Sequence, residues 1–324
     1  MNFTQMHTRS RIINGIRNFF HDRNYLEVDT PLLTPALIPE APIEIFETVF
    51  TSDEYGSFPL YLIPSPEVHM KKLIASGSGN IFQITRSFRN SEQLGSHHNP
   101  EFSMLEWYTI DADYLNSIAT TEELIQSLAG PEAPASIRPP FRKITVRKAF
   151  LDYAGFDLTE TQDKPALVQA ARKLGLSIQP EEDTWEQIYH RIFLSYVEPN
   201  LPSDQPLVLT DFPRQITCLA KEIPGTPWRE RWELYINGIE LANCYSEETD
   251  PAKIESFFRR EYALKAAESR VVPDIDEEFI EIHRSGFPTC SGVALGVDRL
   301  IMALSGQASI EGVIFFPLSD TIRP

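Results

Sequence analysis

Residues 82 to 108 read FQITRSFRNSEQLGSHHNPEFSMLEWY, two runs of alternating side chains separated by a polar loop. A period of two is a strand signature, so this stretch demands two paired strands. The first run ends at Phe88-Arg89. The loop carries Ser91, Glu92, Gly95, His98 and an Asn99-Pro100 turn, and the second run spans Phe102 to Tyr108. Alternation places Gln83, Thr85, Ser87 and Arg89 on one face of the first strand. It places Phe102, Met104, Glu106 and Tyr108 on one face of the second. An arginine, an aromatic ring, a carboxylate and a phenol arranged this way suit a phosphate, a purine and a cationic small molecule held side by side. Taken alone, the second run reads first as an ordinary half-buried strand with Phe102 and Tyr108 in the core, and the neighbouring Arg89 and His98-Asn99-Pro100 weaken that reading.

The 324 residues, 42% of them hydrophobic, are enough for one large domain or two small ones. No run of about 18 apolar residues occurs, so no membrane span is expected. The N-terminus lacks the apolar block of a signal peptide. Cys218, Cys244 and Cys290 are odd in number and far apart, which fits small buried residues in a reducing cytoplasm. A formal net charge of −17 argues against extensive nucleic-acid binding. It leaves room for a small anion such as ATP held with a metal.

Apolar spacing predicts helices over residues 8–23, 66–74, 167–174, 185–196 and 298–304, and a charged, solvated helix over 251–267. Short strands are expected at 25–28, 60–63 and 207–209, with longer ones over 231–245. Prolines 131, 134, 139 and 140 open a stretch, residues 130–205, that reads as a mostly helical peripheral insertion. Strands carry the ligand-type residues and helices flank them. The expected plan is α+β, an antiparallel sheet packed by helices, in a single domain spanning 1–324.

Two further segments carry chemistry. In Glu233-Leu-Tyr-Ile-Asn-Gly-Ile-Glu240, Asn237-Gly238 is the preferred two-residue hairpin loop. It pairs Tyr235 with Glu240 and Leu234 with Leu241. Glu233 and Glu240 then lie diagonally on one face, within about 8 Å. Like charges that close repel unless a cation sits between them, and Mg²⁺ is the natural candidate. Two solvated glutamates on an exposed hairpin are the alternative. Asn243, Tyr245 and Glu247 are out of phase with Glu240, so a bulge near Ala242 is expected to bring both sets to one pocket. In Ser291-Gly-Val-Ala-Leu-Gly-Val-Asp298-Arg299, the alternation of Gly292, Ala294 and Gly296 gives a strand face almost without side chains. Such a face lets a flat ligand lie against the backbone, with Arg299 able to reach over it. Close helix–strand packing with a surface arginine would give the same pattern.

Taken in order, these segments resemble the catalytic core of class II aminoacyl-tRNA synthetases, most closely the lysyl branch, over nearly the whole chain. Residues 8 to 23 with Tyr25-Leu26-Glu27-Val28 and Pro31 resemble motif 1, the dimer-forming element. FRNSE through HNPEF resembles motif 2, and GVALGVDRL resembles motif 3. The resemblance implies that Arg89 binds the α-phosphate and the substrate carboxylate and stabilises transition-state charge. Glu92, His98 and Asn99 surround ATP, Phe102 stacks on adenine, and Arg299 lies on the other side of the nucleotide. Leu241 and Gly296 also line the ATP site. Glu233 and Glu240 hold Mg²⁺. Ser65 and Glu67 lie near the substrate's amino group. Glu106, Tyr108, Asn243, Tyr245, Glu247 and Ala294 form the amino-acid pocket, where the Glu247 carboxylate with the Tyr108 phenol suits a lysine-like ammonium.

Motif 1 begins near residue 8, so no anticodon-binding domain is expected upstream. This absence, the acidic total and Ala294 in Gly-x-Ala-x-Gly resemble the elongation factor P (R)-β-lysine ligases, a family of truncated lysyl-tRNA synthetase paralogues. That family implies activation of (R)-β-lysine or lysine with ATP, transfer to a lysine of elongation factor P, and a homodimer that does not use tRNA. A ligase with another acceptor (a small amine or tRNA) and a non-catalytic paralogue are the rival readings. Two departures stand out. Ser91 adds a residue between Arg89 and the loop glutamate, and Cys244, Tyr245 and Glu248 stand where relatives more often show glycine, phenylalanine and leucine.

Overall fold

In a computed structural model the described residues are 3–130, 133–134 and 136–322, so Pro131 lies outside them. In chain order the principal helices are α1 (Phe3–His21), α2 (Glu67–Ala75), α3 (Tyr114–Leu128), α4 (Lys164–Lys173), α5 (Trp185–Ile192), α6 (Pro251–Glu268), α7 (Glu277–Arg284) and α8 (Val297–Leu304). The principal strands are β1 (Leu26–Glu27), β2 (Glu47–Ser52), β3 (Gly56–Leu62), β4 (Ile81–Phe88), β5 (Glu101–Ile110), β6 (Arg142–Thr145), β7 (Leu207–Pro213), β8 (Trp228–Ile236), β9 (Ile239–Ser246) and β10 (Cys290–Gly296). The chain divides into two compact units, residues 1–112 with 248–324 and residues 113–247.

In the first unit, β5 is antiparallel to both β4 and β10, and β1 runs parallel to β4. Register places Gln83 opposite Glu106 and Ser87 opposite Phe102 on one side of β5. On the other side, Gly292, Ala294 and Gly296 lie opposite Tyr108, Glu106 and Met104. Directly opposed residues share a face. One face therefore carries Phe102, Met104, Glu106 and Tyr108 beside a strip with almost no side chains.

Helix α1 covers the other face. Its buried residues Ile12, Ile16, Phe19 and Phe20 recur at helical spacing. The Phe20 ring stacks on Phe82 at 4.8 Å between centroids and lies 5.3 Å from Trp107. A buried ion pair fixes the arrangement. Arg9 donates to Asp298 Oδ1 (2.6 Å) and Ser103 Oγ (2.7 Å), and the Ser103 N–H donates to Asp298 Oδ2 (2.7 Å). Asp298 thus ties α1, β5 and the first turn of α8 together.

Helix α6 differs from its expected solvated character. Pro251 occupies the N-terminal turn and Asp250 caps it, but Ile254, Phe258, Glu261 and Lys265 form a buried stripe. Lys265 Nζ donates to the carbonyls of Glu40 (3.0 Å) and Ile43, and Glu261 accepts from the Ala41 N–H at 3.2 Å. The charged pair in the stripe is buried because it satisfies loop backbone that would otherwise lack partners.

The second unit is built on β6 to β9. Strand β8 is antiparallel to β7 and β9, and β6 is parallel to β7. Helix α3 starts with a reciprocal Asp113–Asn116 cap, which satisfies two N–H groups of its first turn. Helices α4 and α5 enclose an aromatic core in which Tyr189 stacks on Phe150 at 5.0 Å and on Trp185 at 5.4 Å.

Candidate active site

Arg89 sits just past the end of β4, where its N–H donates to the Pro100 carbonyl at 2.9 Å and closes the loop. Its guanidinium lies over the Phe102 ring, 5.3 Å from the centroid, and its buried Nε has no hydrogen-bond partner. Ser91, the extra residue of this loop, adopts the left-handed conformation at φ 57°. Its N–H donates to Asn90 Oδ1 at 2.9 Å, while the Asn90 N–H donates to the Glu44 carbonyl at 2.9 Å. The insertion is thus absorbed as a tight turn that leaves Arg89 and Glu92 on one cavity. That cavity holds about 320 Å³ and is lined by Ile43, Glu44, Arg89, Ser91, Glu92 and His98 among others.

Arg299, in the first turn of α8, donates from Nε to the His97 carbonyl (3.2 Å) and from a terminal nitrogen to His98 Nε2 (2.8 Å). Burial and then the Arg299 charge push the His98 pKa below its ordinary value, so the imidazole is a neutral acceptor. Asn99 holds the loop in shape. Its Nδ2 donates to the Glu101 carbonyl (2.6 Å) and its Oδ1 accepts from the Leu318 N–H (3.0 Å).

Further along the same strand face, Tyr108 donates to Glu106 Oε1 at 2.8 Å, and both side chains are buried. Ala294 faces Glu106 from β10. Ser65 precedes α2, and Glu67 in its first turn accepts from Lys71 Nζ at 2.5 Å. Glu40 lies in the loop anchored by Lys265. Burial and then the Glu67 charge raise its pKa to about 7, against the pull of Arg89 and Lys265. Sequence reasoning missed Glu40 and Glu44 because only tertiary anchoring brings their loop to Arg89.

In the second unit, the Asn237-Gly238 turn pairs Ile236 with Ile239 and Tyr235 with Glu240 as expected. The expected Leu234–Leu241 pair does not form. Leu241 is the extra residue of a bulge, so Leu234 faces Ala242, Glu233 faces Asn243 and Arg231 faces Tyr245. The bulge restores phase, and Arg231, Glu233, Tyr235, Glu240, Asn243 and Tyr245 share one face. Beyond them, Glu247 is buried and bridges to Ala220.

This face is tightly bonded. Arg231 donates to Glu233 Oε1 (2.6 Å) and Tyr235 Oη donates to Oε2 (2.9 Å). Asn243 Nδ2 donates to Tyr245 Oη (3.0 Å), while Asn243 Oδ1 is buried without a hydrogen-bond partner. Arg231 lay within reach of parity reasoning, since it alternates with Glu233 and Tyr235. Among the described residues no group of three or more His, Cys, Asp or Glu could hold a metal alone. A cation at Glu233 and Glu240 would therefore take remaining ligands from phosphate or water, as Mg²⁺ commonly does. Each Glu233 oxygen receives one hydrogen bond, and a carboxylate offers about four lone-pair sites, so these residues fit that ion.

A family model described as tRNA synthetases class II (D, K and N) matches residues 2–320. Among similar proteins, the elongation factor P–(R)-β-lysine ligase of Proteus mirabilis is 39% identical over 314 residues, covering 96% of this chain and 94% of the relative. The proteins of the same name from Pectobacterium atrosepticum (39%, covering 95% and 93%) and Vibrio atlanticus (37%, covering 97% and 95%) are similarly matched.

Proposed function

The chain belongs to the family of class II tRNA synthetases (D, K and N), and from that premise we propose that it activates (R)-β-lysine or lysine with ATP and transfers it to a lysine side chain of elongation factor P. The reading is carried by Phe102, Glu106 and Tyr108 along one face of β5, with Arg89 from just past the end of β4 over the Phe102 ring and its buried Nε lacking a hydrogen-bond partner. The names of relatives matched over some 95% of the chain support the acceptor.

Arg89 binds the substrate carboxylate and the α-phosphate, and Phe102 stacks on adenine with Arg299 on its other side. The Tyr108 hydroxyl orients Glu106 to receive the side-chain ammonium; Asn243, Tyr245 and Glu247 complete amino-acid selection. Glu233 and Glu240 would hold Mg²⁺, which would supply neutralising charge to the phosphates. A carboxylate oxygen of the amino acid forms a bond to the α-phosphorus as the bond to pyrophosphate breaks. The acceptor lysine's neutral amine then attacks the adenylate carbonyl, forming an amide and releasing AMP and a proton. Positioning and fixed charge carry both steps, and no protein base is required. The enzyme acts as a homodimer through the motif 1-like helix α1. Its free cysteines suit a reducing cytoplasm.

The test is incubation with ATP and labelled lysine isomers, with purified elongation factor P or tRNA offered as acceptor. Lysine-dependent pyrophosphate exchange and label on elongation factor P are expected. Label on tRNA alone would overturn the acceptor. Absence of exchange with every isomer would overturn the activation step.

A further inference from the structure

We propose that Arg231 is a positioning residue that holds Glu233 for its metal role and fixes the Tyr245 ring beside it. The inference rests on the ligase reading above, through the roles given there to Glu233, Glu240 and Tyr245. Arg231 pairs with Glu233 at 2.6 Å, and both side chains are mostly buried, 13% and 10% exposed. Its guanidinium lies 4.5 Å from the Phe212 ring centroid and 5.5 Å from that of Tyr245. Cross-strand register makes Tyr245 its direct neighbour. One planar cation thus touches the carboxylate on the metal side and the phenol ring on the amino-acid side.

Three physical points favour this role over simple packing. Glu233 and Glu240 share a face and repel each other, and Arg231 offsets that repulsion before any metal binds. The rings flanking the guanidinium limit its rotation, so its short bond to Oε1, with the Tyr235 bond to Oε2, fixes the carboxylate plane. Both carboxylate oxygens keep a lone pair for a further ligand. Lysine could replace the charge but not the planar, stacked fork.

The test is a cycle of four proteins: wild type, Arg231→Lys, Glu233→Gln and the double variant. Each is checked for folding by circular dichroism. ATP affinity is then measured by calorimetry with and without Mg²⁺, and lysine affinity in parallel. Arg231→Lys is expected to lose about ten-fold of the Mg²⁺-dependent gain in ATP affinity, the usual cost of removing an outer partner of a metal ligand, and to weaken lysine binding. Its Mg²⁺-free ATP affinity should stay within about two-fold of wild type, because a role in packing alone would not single out the metal-dependent part. Added to Glu233→Gln, it should cost nothing further for Mg²⁺, the signature of action through Glu233. Independent, multiplying losses would overturn the proposal, as would wild-type Mg²⁺ behaviour in Arg231→Lys. If Arg231→Lys fails to fold, the double variant, which removes the Glu233 charge as well, still decides by comparison with Glu233→Gln alone. A wild type whose ATP affinity ignores Mg²⁺ would overturn the inference, and lysine-dependent exchange in the same preparation would show whether the activation reading survives.

Discussion

Arg89 combines three properties at one position: a cation over an aromatic ring, a buried Nε without a hydrogen bond, and a backbone N–H that closes the loop. A charge placed where transition-state charge develops is worth about 10²–10³ in rate. Arg89→Ala is therefore expected to lower pyrophosphate exchange by at least about 10²-fold while leaving the thermal transition nearly unchanged, as measured by exchange and circular dichroism together. His283 makes a different demand. It stacks on Phe287 at 4.4 Å, bonds the Phe279 carbonyl through Nδ1 at 2.8 Å, and burial lowers its pKa to about 4. An unfolded imidazole takes a proton below about pH 6.5. Between that value and about 4 the unfolded chain binds more protons than the folded one, so stability falls as pH falls. The loss reaches about 2 kcal/mol by pH 5. Glu40, with its raised pKa, titrates in an overlapping window with the opposite sign. The His283 contribution is thus read as the difference between wild type and His283→Phe in urea unfolding at pH 7 and pH 5. Equal pH slopes for the two proteins would refute it.

At the scale of elements, the β8–β9 hairpin shows what sequence can and cannot specify. Asn237-Gly238 fixes the turn because both residues adopt positive φ, 54° and 76°, which suits this pair and penalises a residue with a Cβ at the glycine. Gly238→Ala is expected to cost about 1 kcal/mol, seen as a lowered urea midpoint, with exchange activity retained in the folded protein. From that turn, the pairing of Tyr235 with Glu240 and the need for a bulge near Ala242 are legible, because the polar residues on either side are out of phase. The residue that bulges, Leu241, is not legible, since either neighbour would restore phase. The buried face of α6 was likewise hidden. Glu261 and Lys265 read as solvent-facing until the loop at 40–43 supplies N–H and carbonyl partners distant in sequence. Ser91 was visible only as an extra residue, and its left-handed turn depends on Asn90 and Glu44. The Arg9–Asp298–Ser103 cluster likewise joins residues distant in sequence. Asp298→Ala would leave Arg9 as an uncompensated buried cation and is expected to cost about 3–5 kcal/mol in thermal or urea unfolding; a change below 1 kcal/mol would refute that account.

At the scale of the whole molecule, charge decides what the enzyme can hold without a dedicated site. Asp and Glu number 46 against 29 Lys and Arg, a formal net charge of −17. Binding to a long polyanion draws its free energy largely from counterions released as lysines and arginines meet phosphates. Several of the arginines here are already committed. Arg9, Arg231 and Arg299 are held by Asp298, Glu233 and His98 with the His97 carbonyl, and Arg147, Arg259 and Arg284 pair with surface carboxylates. ATP presents a compact triphosphate that a few fixed cations can serve, whereas tRNA needs an extended basic surface. Filter binding at about 150 mM salt is therefore expected to show no tRNA affinity tighter than about 10⁻⁴ M. Lysine-dependent exchange in the same preparation should proceed without tRNA and be unchanged when tRNA is added. Tight tRNA retention that weakens steeply with salt would reveal a basic surface that the net charge conceals, and would move the proposed acceptor from protein to nucleic acid.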